Sequence, residues 1–531
     1  MNICVPPLAG FIAGPRFDDS RTQRHVQFST PSSRLYWPFG QASLKPTHAR
    51  VESMLTITVD PKDPRPLVEQ IVEGIRRQIV SGQIRPGTKI PSIRKLAQAY
   101  GISRFTVAEA YDRLVALGCL EARRASGFFA VGPRTIAKQE RDFDGPNEEQ
   151  VWFIRKLLEP TEGIMLASGS LPQAWLDEKV MRQVVNQTAR KRGAPLIEFG
   201  SPFGYLPLRE HLCVMLAEFG IAANASQIVL TQNGSQALEL IIKQFVRSGH
   251  AVLVDDPGYY NLFGSLRLHG AKLVGVPRLP DGPDMEALEK FAAEHKPRIY
   301  FTQSVLHNPT GTDMSPHAVF RLLQLAEKHD FLVVEDDVFC DLQTKGSPRL
   351  AALDQLNRVI YVRSFSKTLS GSLRLGFIAA RQAIASDLAV AKVLSSITSS
   401  LFIERVLYAT LTEGHYRRHL GRIHKNLDDA RRNVLQAFEH AGLQVFGQPS
   451  AGLYLWARFA NIEDSLALAN SPASKGFVLA PGVVFRPHTQ RSAWLRFNVS
   501  TSNDARVFRW LEEVAHSSGK DLMCSASAPR Y

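Results

Sequence analysis

Residues 364–376 read SFSKTLSGSLRLG and follow closely on the apolar run VIYV. Lys367 stands just beyond the buried strand that this run predicts, among small residues, where its amine is placed to form a Schiff base with an aldehyde. Arg374, seven residues further on, offers a guanidinium that grips phosphate with bidentate geometry. Ser364 and Ser366 add hydroxyl donors. Together these residues predict a site for a cofactor that carries an aldehyde and a phosphate.

Further apolar runs alternate with helical patterns on the N-terminal side of this stretch. The runs that end in polar or glycine-containing loops are QIVLTQNG, AVLVDDPG, IYFTQS and FLVVEDD. Strands that are apolar at nearly every position are buried on both faces, so we expect an α/β fold with a mostly parallel central sheet flanked by helices. Ligands of such sheets bind at the carboxyl ends of the strands. The chemistry is therefore expected in the loops that follow these runs.

Polar residues in those loops match the needs of an aromatic, phosphorylated cofactor. Ser235 and Gln236 lie where a strand gives way to a helix, and the first backbone amides of a helix form a cradle for phosphate. Asp336, at a strand end, is placed to keep a pyridinium nitrogen protonated, so that the ring remains an electron sink. Asn308 offers an amide donor to a ring hydroxyl, and Tyr259 offers an aromatic face for stacking.

The region 166–515 resembles the fold-type I, aspartate-aminotransferase-like enzymes that use pyridoxal 5'-phosphate (PLP). The runs PSAGLYLWARF and VLAPGVVF resemble strands of that family's small domain. The resemblance implies a large PLP-binding domain over 166–395 and a smaller C-terminal α+β domain over 396–515. By the same resemblance, Lys367 is the Schiff-base lysine and Asp336 the partner of the pyridine nitrogen. The resemblance also implies ring contacts from Tyr259 and Asn308, phosphate contacts from Ser235, Gln236, Ser364 and Arg374, and a substrate carboxylate site at Arg496.

Two positions depart from the family pattern, and each has phenylalanine in place of tyrosine. The family commonly has a tyrosine three residues after the aspartate, bonded to the cofactor's ring oxygen, and this chain has Phe339. It also commonly has a tyrosine that reaches the neighbouring subunit's phosphate, and here Phe199 stands in that position. Each lost hydrogen bond costs on the order of 1 kcal/mol. We therefore expect cofactor binding to survive and any transamination to be slow.

A basic segment precedes this region. The chain has 63 Lys and Arg against 50 Asp and Glu, a net charge of +13, and residues 60–135 hold 13 of the basic and 7 of the acidic residues. Such a local excess favours a polyanionic partner. Apolar residues four apart predict a helix over 66–81, and a second helix follows over Ser92–Tyr100. Ser103 is a plausible N-cap for a third helix that ends at Gly118, and LEARRASGFFAV predicts two short strands joined by a turn.

Residues 61–132 closely resemble the winged-helix domain of the GntR family of bacterial transcription factors. The resemblance implies that the third helix enters the major groove of double-stranded DNA, while the wing reaches phosphate or the minor groove. The wing tip carries Ala125 where the family usually has glycine. The residues at DNA-contacting positions are Arg94, Ser103, Arg104, Thr106 and Arg124, with Arg123 beside the last of them in the wing.

The remaining segments are expected to connect or extend these two regions. Residues 1–60 lack periodicity and predict a flexible extension, residues 133–165 predict a mostly polar linker with a helical patch, and 516–531 predict a tail. The five cysteines form no CxxC pair, which argues against a disulfide scaffold or a metal cluster and favours a cytoplasmic protein. No apolar run reaches the roughly 18 residues that would span a bilayer.

A GntR winged helix joined to an aminotransferase-like domain is the architecture of MocR-type regulators, and the order of parts here matches. The resemblance implies a PLP-dependent transcriptional regulator that senses a small amino compound through aldimine exchange at Lys367. It also implies a homodimer that binds two operator half-sites. A second interpretation is an active aminotransferase with an accessory DNA-binding domain. A third, a DNA-binding protein whose large domain is an inactive scaffold, is disfavoured because the cofactor residues are all present.

Overall fold

The structure is a computed structural model that describes residues 57–517 apart from 61–62, 64, 82, 124–125, 132–146, 159–162, 192, 194–195 and 345. The chain divides into two compact units, residues 1–140 and 141–531. Most of the predicted N-terminal extension and of the predicted tail lies outside the described residues. Within the described ranges, no helix is long and apolar enough to cross a membrane.

The described part of the first unit has three helices followed by a two-stranded wing. Its elements are α1 (Leu67–Val80), α2 (Ile93–Tyr100), α3 (Arg104–Ala116), β1 (Leu120–Arg123) and β2 (Gly127–Ala130). The two strands pair antiparallel, with Leu120 opposite Ala130. The apolar face of α1 packs on α3 and buries Ile71 and Ile75 in a shared core with Val107. The predicted winged helix-turn-helix is therefore confirmed.

Capping residues determine where α2 and α3 begin and end. The Ser92 hydroxyl accepts a hydrogen bond from the Lys95 N–H at 3.3 Å, and the Ser103 hydroxyl accepts one from the Thr106 N–H at 3.0 Å. These bonds satisfy amides that have no partner inside the helix. Gly101 ends α2 with a φ of +65°, which glycine adopts without steric cost.

The first unit begins earlier than the sequence predicts. Ile57 belongs to the segment that we expected to be flexible, yet its side chain is buried in the core of the unit. It packs on Gly74 of α1, where an added methyl group would lie only 2.8 Å from a carbon of Ile57. Its backbone N–H donates to the Tyr100 hydroxyl at 3.1 Å. Leu55, Ile57 and Val59 alternate with polar residues in the sequence, a short pattern that our prediction did not use.

The second unit is built from alternating strands and helices. Its helices are α4 (Glu148–Leu158), α5 (Glu178–Arg190), α6 (Leu206–Glu218), α7 (Gly234–Phe245), α8 (Tyr260–Leu268), α9 (Met285–His295), α10 (Pro316–Lys328), α11 (Leu350–Asp354), α12 (Gln382–Ser396), α13 (Leu401–Thr412), α14 (His415–His440), α15 (Ser465–Ala469), α16 (Val499–Ser502) and α17 (Ala505–His516). Its strands are β3 (Ile228–Thr231), β4 (Ala251–Asp256), β5 (Lys272–Leu279), β6 (Gly282–Pro283), β7 (Ile299–Thr302), β8 (Leu332–Asp336), β9 (Val359–Ser364), β10 (Gly376–Ala379), β11 (Gln444–Val445), β12 (Tyr454–Arg458), β13 (Ala480–Pro481) and β14 (Leu495–Asn498).

The large sheet of this unit has the strand order β3-β10-β9-β8-β7-β4-β5-β6. The pairs that join β9, β8, β7, β4 and β5 are parallel, whereas β10 runs antiparallel to both of its neighbours. Tyr300 and Phe301 are adjacent residues of β7, and they pack in two different apolar cores. The sheet is thus buried on both faces, as its apolar runs predicted, and the α/β fold class is confirmed.

A smaller sheet follows in the C-terminal part of the unit. Its strand order is β11-β12-β14-β13, and α14 packs with α16 and α17 beside it around a core that includes Phe438 and Phe497. Helix α4 lies in the segment that we predicted to be a linker. Its Phe153 is fully buried, with ring centroids 5.2 Å from Tyr260 and 6.3 Å from Phe485. Helix α4, from the second half of that segment, is therefore packed into the second unit.

Candidate functional site

A cavity of about 180 Å³ opens where the carboxyl ends of the large sheet's strands meet the smaller sheet. It lies in the second unit, where the strand topology predicts a ligand site. Of the residues that the sequence singles out, Ser235, Tyr259, Asn308, Asp336, Ser364, Lys367, Arg374 and Arg496 line it. Other lining residues that received no role from the sequence include Gly169, Asn233, Gln303 and Tyr454.

The Lys367 amine lies inside the cavity. Its Nζ donates a hydrogen bond to the carbonyl oxygen of Gly169 at 2.8 Å. Burial, together with the nearby Arg496 and Arg374 guanidinium groups, lowers the pKa of Lys367 from 10.5 to about 8, although Asp336 opposes the shift. A lysine with such a pKa is partly neutral near physiological pH, which is the form that attacks an aldehyde.

Asp336, at the end of β8, presents an unpartnered oxygen to the cavity. Its Oδ2 accepts a hydrogen bond from Gln303 Nε2 at 3.0 Å, while Oδ1 is buried and has no partner among the described residues. Burial and the neighbouring Asp337 carboxylate raise the pKa of Asp336 to about 7. A buried oxygen without a donor is unfavourable, and an incoming N–H group would satisfy it. Gln303 also accepts the Asn308 N–H at 2.7 Å, so one side chain orients both residues.

The amino end of α7 forms one wall of the cavity. The Asn233 side chain caps this helix by accepting the Gln236 N–H at 2.9 Å. The N–H groups of Gly234 and Ser235 have no hydrogen-bond partner among the described residues. Gly234 lets the start of α7 pack closely on Val338, because a methyl group there would lie 2.9 Å from a carbon of that side chain. Two amides at a helix N-terminus suit a phosphate.

Gln236 is the one predicted cofactor contact whose side chain does not line the cavity. Its Nε2 donates to the Ser396 hydroxyl at 3.0 Å, and its Oε1 accepts the Gln232 N–H at 2.7 Å. One residue further along α7 than Ser235, it lies about 100° around the helix axis. This rotation turns its side chain away from the cavity.

A serine pair and an arginine complete this end of the cavity. The Ser364 hydroxyl donates to the Ser366 hydroxyl at 3.2 Å and accepts from the Ser366 N–H at 3.3 Å, which holds the two side chains together. Arg374 has a φ of +50°, in the left-handed region, and its guanidinium makes no hydrogen bond or ion pair with another described residue. An arginine without an ion-pair partner among the described residues, beside free amides, is a site for a phosphate group.

Arg496 of β14 lies at the opposite end of the cavity and is almost fully buried. Its Nη1 donates to Asn308 Oδ1 at 2.8 Å and its Nη2 to the Ala167 carbonyl at 2.7 Å, whereas its Nε has no partner among the described residues. The guanidinium lies 4.3 Å from the centroid of the Tyr454 ring. A buried cation with one unsatisfied donor is suited to bind a carboxylate.

The described DNA-contacting candidates lie in the first unit: Arg94 in α2, Ser103, Arg104 and Thr106 at the start of α3, and Arg123 at the end of β1. Arg94 and Arg104 are exposed and make no ion pair with another described residue. The hydroxyls of Ser103 and Thr106 lie 2.9 Å apart, so the two side chains support each other. Arg123 is held by Glu121 at 3.1 Å and stacks 4.5 Å from the centre of the Phe129 ring. Arg124 lies outside the described residues.

The residues of the cavity fit PLP. The unpartnered amides of α7 and the guanidinium of Arg374 match a phosphate, the unpartnered Oδ1 of Asp336 matches a protonated ring nitrogen, and Lys367 lines the same cavity. The protein therefore combines a DNA-binding winged helix with a unit of the PLP-dependent, fold-type I class.

Comparison with known proteins agrees with this class. The family model "Aminotransferase class I and II" matches residues 161–514, and "Bacterial regulatory proteins, gntR family" matches residues 67–130. The chain belongs to the aminotransferase class I and II family and carries a gntR-family domain, which is the arrangement of MocR-type regulators.

Individual relatives share one or both parts. The uncharacterised HTH-type transcriptional regulator YdfD of Bacillus subtilis is 29% identical over 79% of this chain and 90% of its own. The probable rhizopine catabolism regulatory protein MocR of Rhizobium meliloti is 27% identical over 78% of this chain and 86% of its own. A crystal structure of Pyrococcus horikoshii kynurenine aminotransferase with PMP has a TM-score of 0.66 and 26% identity, covering 73% of this chain and 98% of that one.

Proposed function

We propose that this protein is a transcriptional regulator whose affinity for operator DNA depends on PLP and on a small amino compound bound at Lys367. The observation that carries the proposal is the cavity around Lys367, which keeps the donors for such a cofactor unpartnered in a chain that also carries a winged helix. PLP supplies, when bound, an aldehyde that bonds reversibly to amines. A protein that acts on DNA in this way belongs in the bacterial cytoplasm.

The proposed roles of the cavity residues follow from the polar groups that line the cavity. Arg374, the Ser364 hydroxyl and the N–H of Ser235 bind the phosphate. Asp336 Oδ1 accepts the ring N–H, and Gln303 holds that carboxylate in position. Asn308 and Tyr259 contact the ring, and the Nε of Arg496 receives the carboxylate of an amino acid. Burial lowers the pKa of the Lys367 amine to about 8, so part of it is neutral near physiological pH, the form that would bond to an aldehyde.

We further propose that the second unit works as a homodimer. Apolar side chains are exposed on the segment 196–199 and on the end of α12, including Ile197, Phe199 and Leu394. The two segments are neighbours, because a methyl group on Gly200 would lie 3.3 Å from the carbonyl oxygen of Ser399. An exposed patch of this kind favours a protein interface. A dimer would present two winged helices to two operator half-sites.

An active aminotransferase remains the second candidate, favoured by the presence of Lys367, Asp336 and Arg496 in one cavity. Against it stands Phe339, which lines the cavity without the hydroxyl that the family commonly has there. Amino-group transfer measured with purified protein separates the two. We expect turnover well below the roughly 1–1000 per second of dedicated enzymes, and turnover inside that range would favour the enzyme.

The proposed function is tested by absorbance and by DNA binding on the same preparation. Added PLP should give an absorbance band that free PLP lacks, and borohydride reduction should fix the cofactor to the peptide that contains Lys367. The same protein should shift DNA fragments selected in vitro, and PLP with an amino acid should change that affinity. Absence of the band, or DNA binding that ignores PLP and every amino acid in a panel, would contradict the proposal.

A further inference from the structure

The cavity contains a phenol whose hydroxyl has no hydrogen-bond partner in the described part of the chain. Tyr454, the first residue of β12, is almost fully buried, and its ring meets the Phe339 ring edge-on with centroids 5.3 Å apart. Its hydroxyl makes no hydrogen bond with any described residue, although the side chain lines the cavity. A buried hydroxyl is usually bonded, so this one is available to a ligand or to a neighbouring reactive group.

The Tyr454 hydroxyl and the Lys367 amine both lie beside Gly169. A methyl group built on Gly169 would lie 3.4 Å from Lys367 Nζ and 3.4 Å from the Tyr454 hydroxyl oxygen. Two atoms at that distance from one point are no more than twice that distance apart. Lys367 Nζ also lies 5.8 Å from the centre of the Phe339 ring. The neighbours of the lysine are therefore the ring of Phe339, which has no hydroxyl, and the phenol of Tyr454.

The other tyrosines of the cavity are less suited to act on the lysine. The Tyr259 hydroxyl already accepts a hydrogen bond from Asn261 at 3.0 Å. The Tyr260 ring packs among Phe153 and Phe485 in a separate core, and neither Tyr259 nor Tyr260 is a neighbour of the Gly169 methyl position. Tyr454 is thus the phenol that the described structure brings to the lysine.

Burial raises the pKa of the Tyr454 hydroxyl, although Arg496 opposes this effect. The phenol is therefore neutral at physiological pH and can donate a hydrogen bond. A donor that binds the deprotonated form of a neighbouring group favours that form and lowers its pKa. If PLP is bound to Lys367, a neutral phenol beside the lysine would favour the deprotonated form of the lysine nitrogen or of the cofactor's ring oxygen.

We infer that Tyr454 is the residue that sets the basicity of Lys367 and of its bond to the cofactor, in place of the hydroxyl that Phe339 lacks. This role rests on the proposed PLP site. It makes Tyr454 a positioning residue from the smaller sheet, so movement of β12 relative to the large sheet would change the reactivity of the lysine.

The test is a pH titration of the absorbance of the PLP-loaded, full-length protein. Tyr454→Phe should raise the midpoint of that titration by about one unit, a tenfold change in the proton equilibrium. Tyr260→Phe, which removes a hydroxyl from the same cavity, is the matched control and should leave the midpoint within about 0.2 units of the wild type. The double variant Phe339→Tyr/Tyr454→Phe should return the midpoint toward the wild-type value.

The outcomes separate this role from the proposed function. A wild type without a PLP absorbance band would overturn the proposed function, and this role with it. A wild type with the band whose midpoint is unchanged in Tyr454→Phe, or equally shifted in Tyr260→Phe, would overturn the role of Tyr454 alone. Loss of the band in Tyr454→Phe with no recovery in the double variant would also overturn it, because Tyr454 would then be needed for structure or binding.

Discussion

The Asp336 carboxylate is expected to destabilise the cofactor-free protein, so Asp336→Asn should make that form more stable. The residue is fully buried beside Asp337, and its Oδ1 has no partner among the described residues. Its pKa rises from 3.8 to about 7 as a result. The shift in pKa is about three units. At about 1.36 kcal/mol per unit, the charged carboxylate lowers the free energy of unfolding by at most about 4 kcal/mol.

The direction of the pH dependence follows from the raised pKa of Asp336. Between about pH 4 and pH 7 the folded protein keeps a proton that the unfolded chain has lost, so the free energy of unfolding falls as the pH rises through this window. Above pH 7 the folded protein has also lost this proton, so the free energy of unfolding falls no further on this account. Asparagine carries no charge at any pH. The advantage of Asp336→Asn over the wild type should therefore be near zero at pH 4 and largest at pH 8.

The assay is denaturant unfolding of both proteins without PLP, followed by circular dichroism at pH 5 and pH 8. Asp330→Asn is the matched control, because Asp330 is exposed and its pKa is lowered by Arg358, so its loss should bring no gain. Asp336→Asn should also bind PLP more weakly, since the ring nitrogen loses its anionic partner. A variant that is no more stable than the wild type at pH 8, or equally stabilised at both pH values, would refute this reasoning.

Three further predictions concern the phosphate end of the cavity, the lysine and the DNA-binding unit. Arg374→Ala should weaken PLP binding by about 10- to 100-fold, because hydrogen bonds to charged groups contribute about 1.5–3 kcal/mol, and an unchanged affinity in an absorbance titration would remove Arg374 from the phosphate site. Covalent capture of PLP should accelerate about tenfold per pH unit up to about pH 8, the pKa of Lys367; a rate that is flat from pH 6 to pH 9 in stopped-flow measurements would contradict this. Arg104→Ala should weaken binding to selected DNA by about 1–3 kcal/mol and reduce its salt dependence, whereas equal affinity in a gel-shift titration would show that Arg104 does not contact DNA.

Sequence patterns located the cavity because the topology of a parallel sheet brings strand ends together. Asp336 and Ser364 end adjacent parallel strands, so residues almost thirty positions apart in the sequence line the same cavity. Arg374 could be placed for a similar reason, since it lies just before β10, which pairs with β9. The same argument predicts which loops carry the chemistry but not which side chain of each loop turns inward.

The residues that the sequence missed, or placed less well, depend on contacts that no local pattern records. Gly169 contributes a backbone carbonyl, and any residue type has one. Tyr454 belongs to the smaller sheet, so its position depends on how two sheets pack. Gln236 was expected at the phosphate, but the rotation of α7 directs its side chain to Ser396. Gln303 follows β7 in the run IYFTQS, and its place after a buried strand could have marked it.

The central claim is that the amine of Lys367 links an amino compound to DNA binding. It is tested most directly by measuring operator affinity for the wild type and Lys367→Ala, each with PLP alone and with PLP plus each of a panel of amino acids. The account predicts that the wild type changes its affinity with at least one amino acid, whereas Lys367→Ala binds the operator but gives no such change. A Lys367→Ala variant whose operator affinity responds to the amino acid as strongly as the wild type would contradict the account.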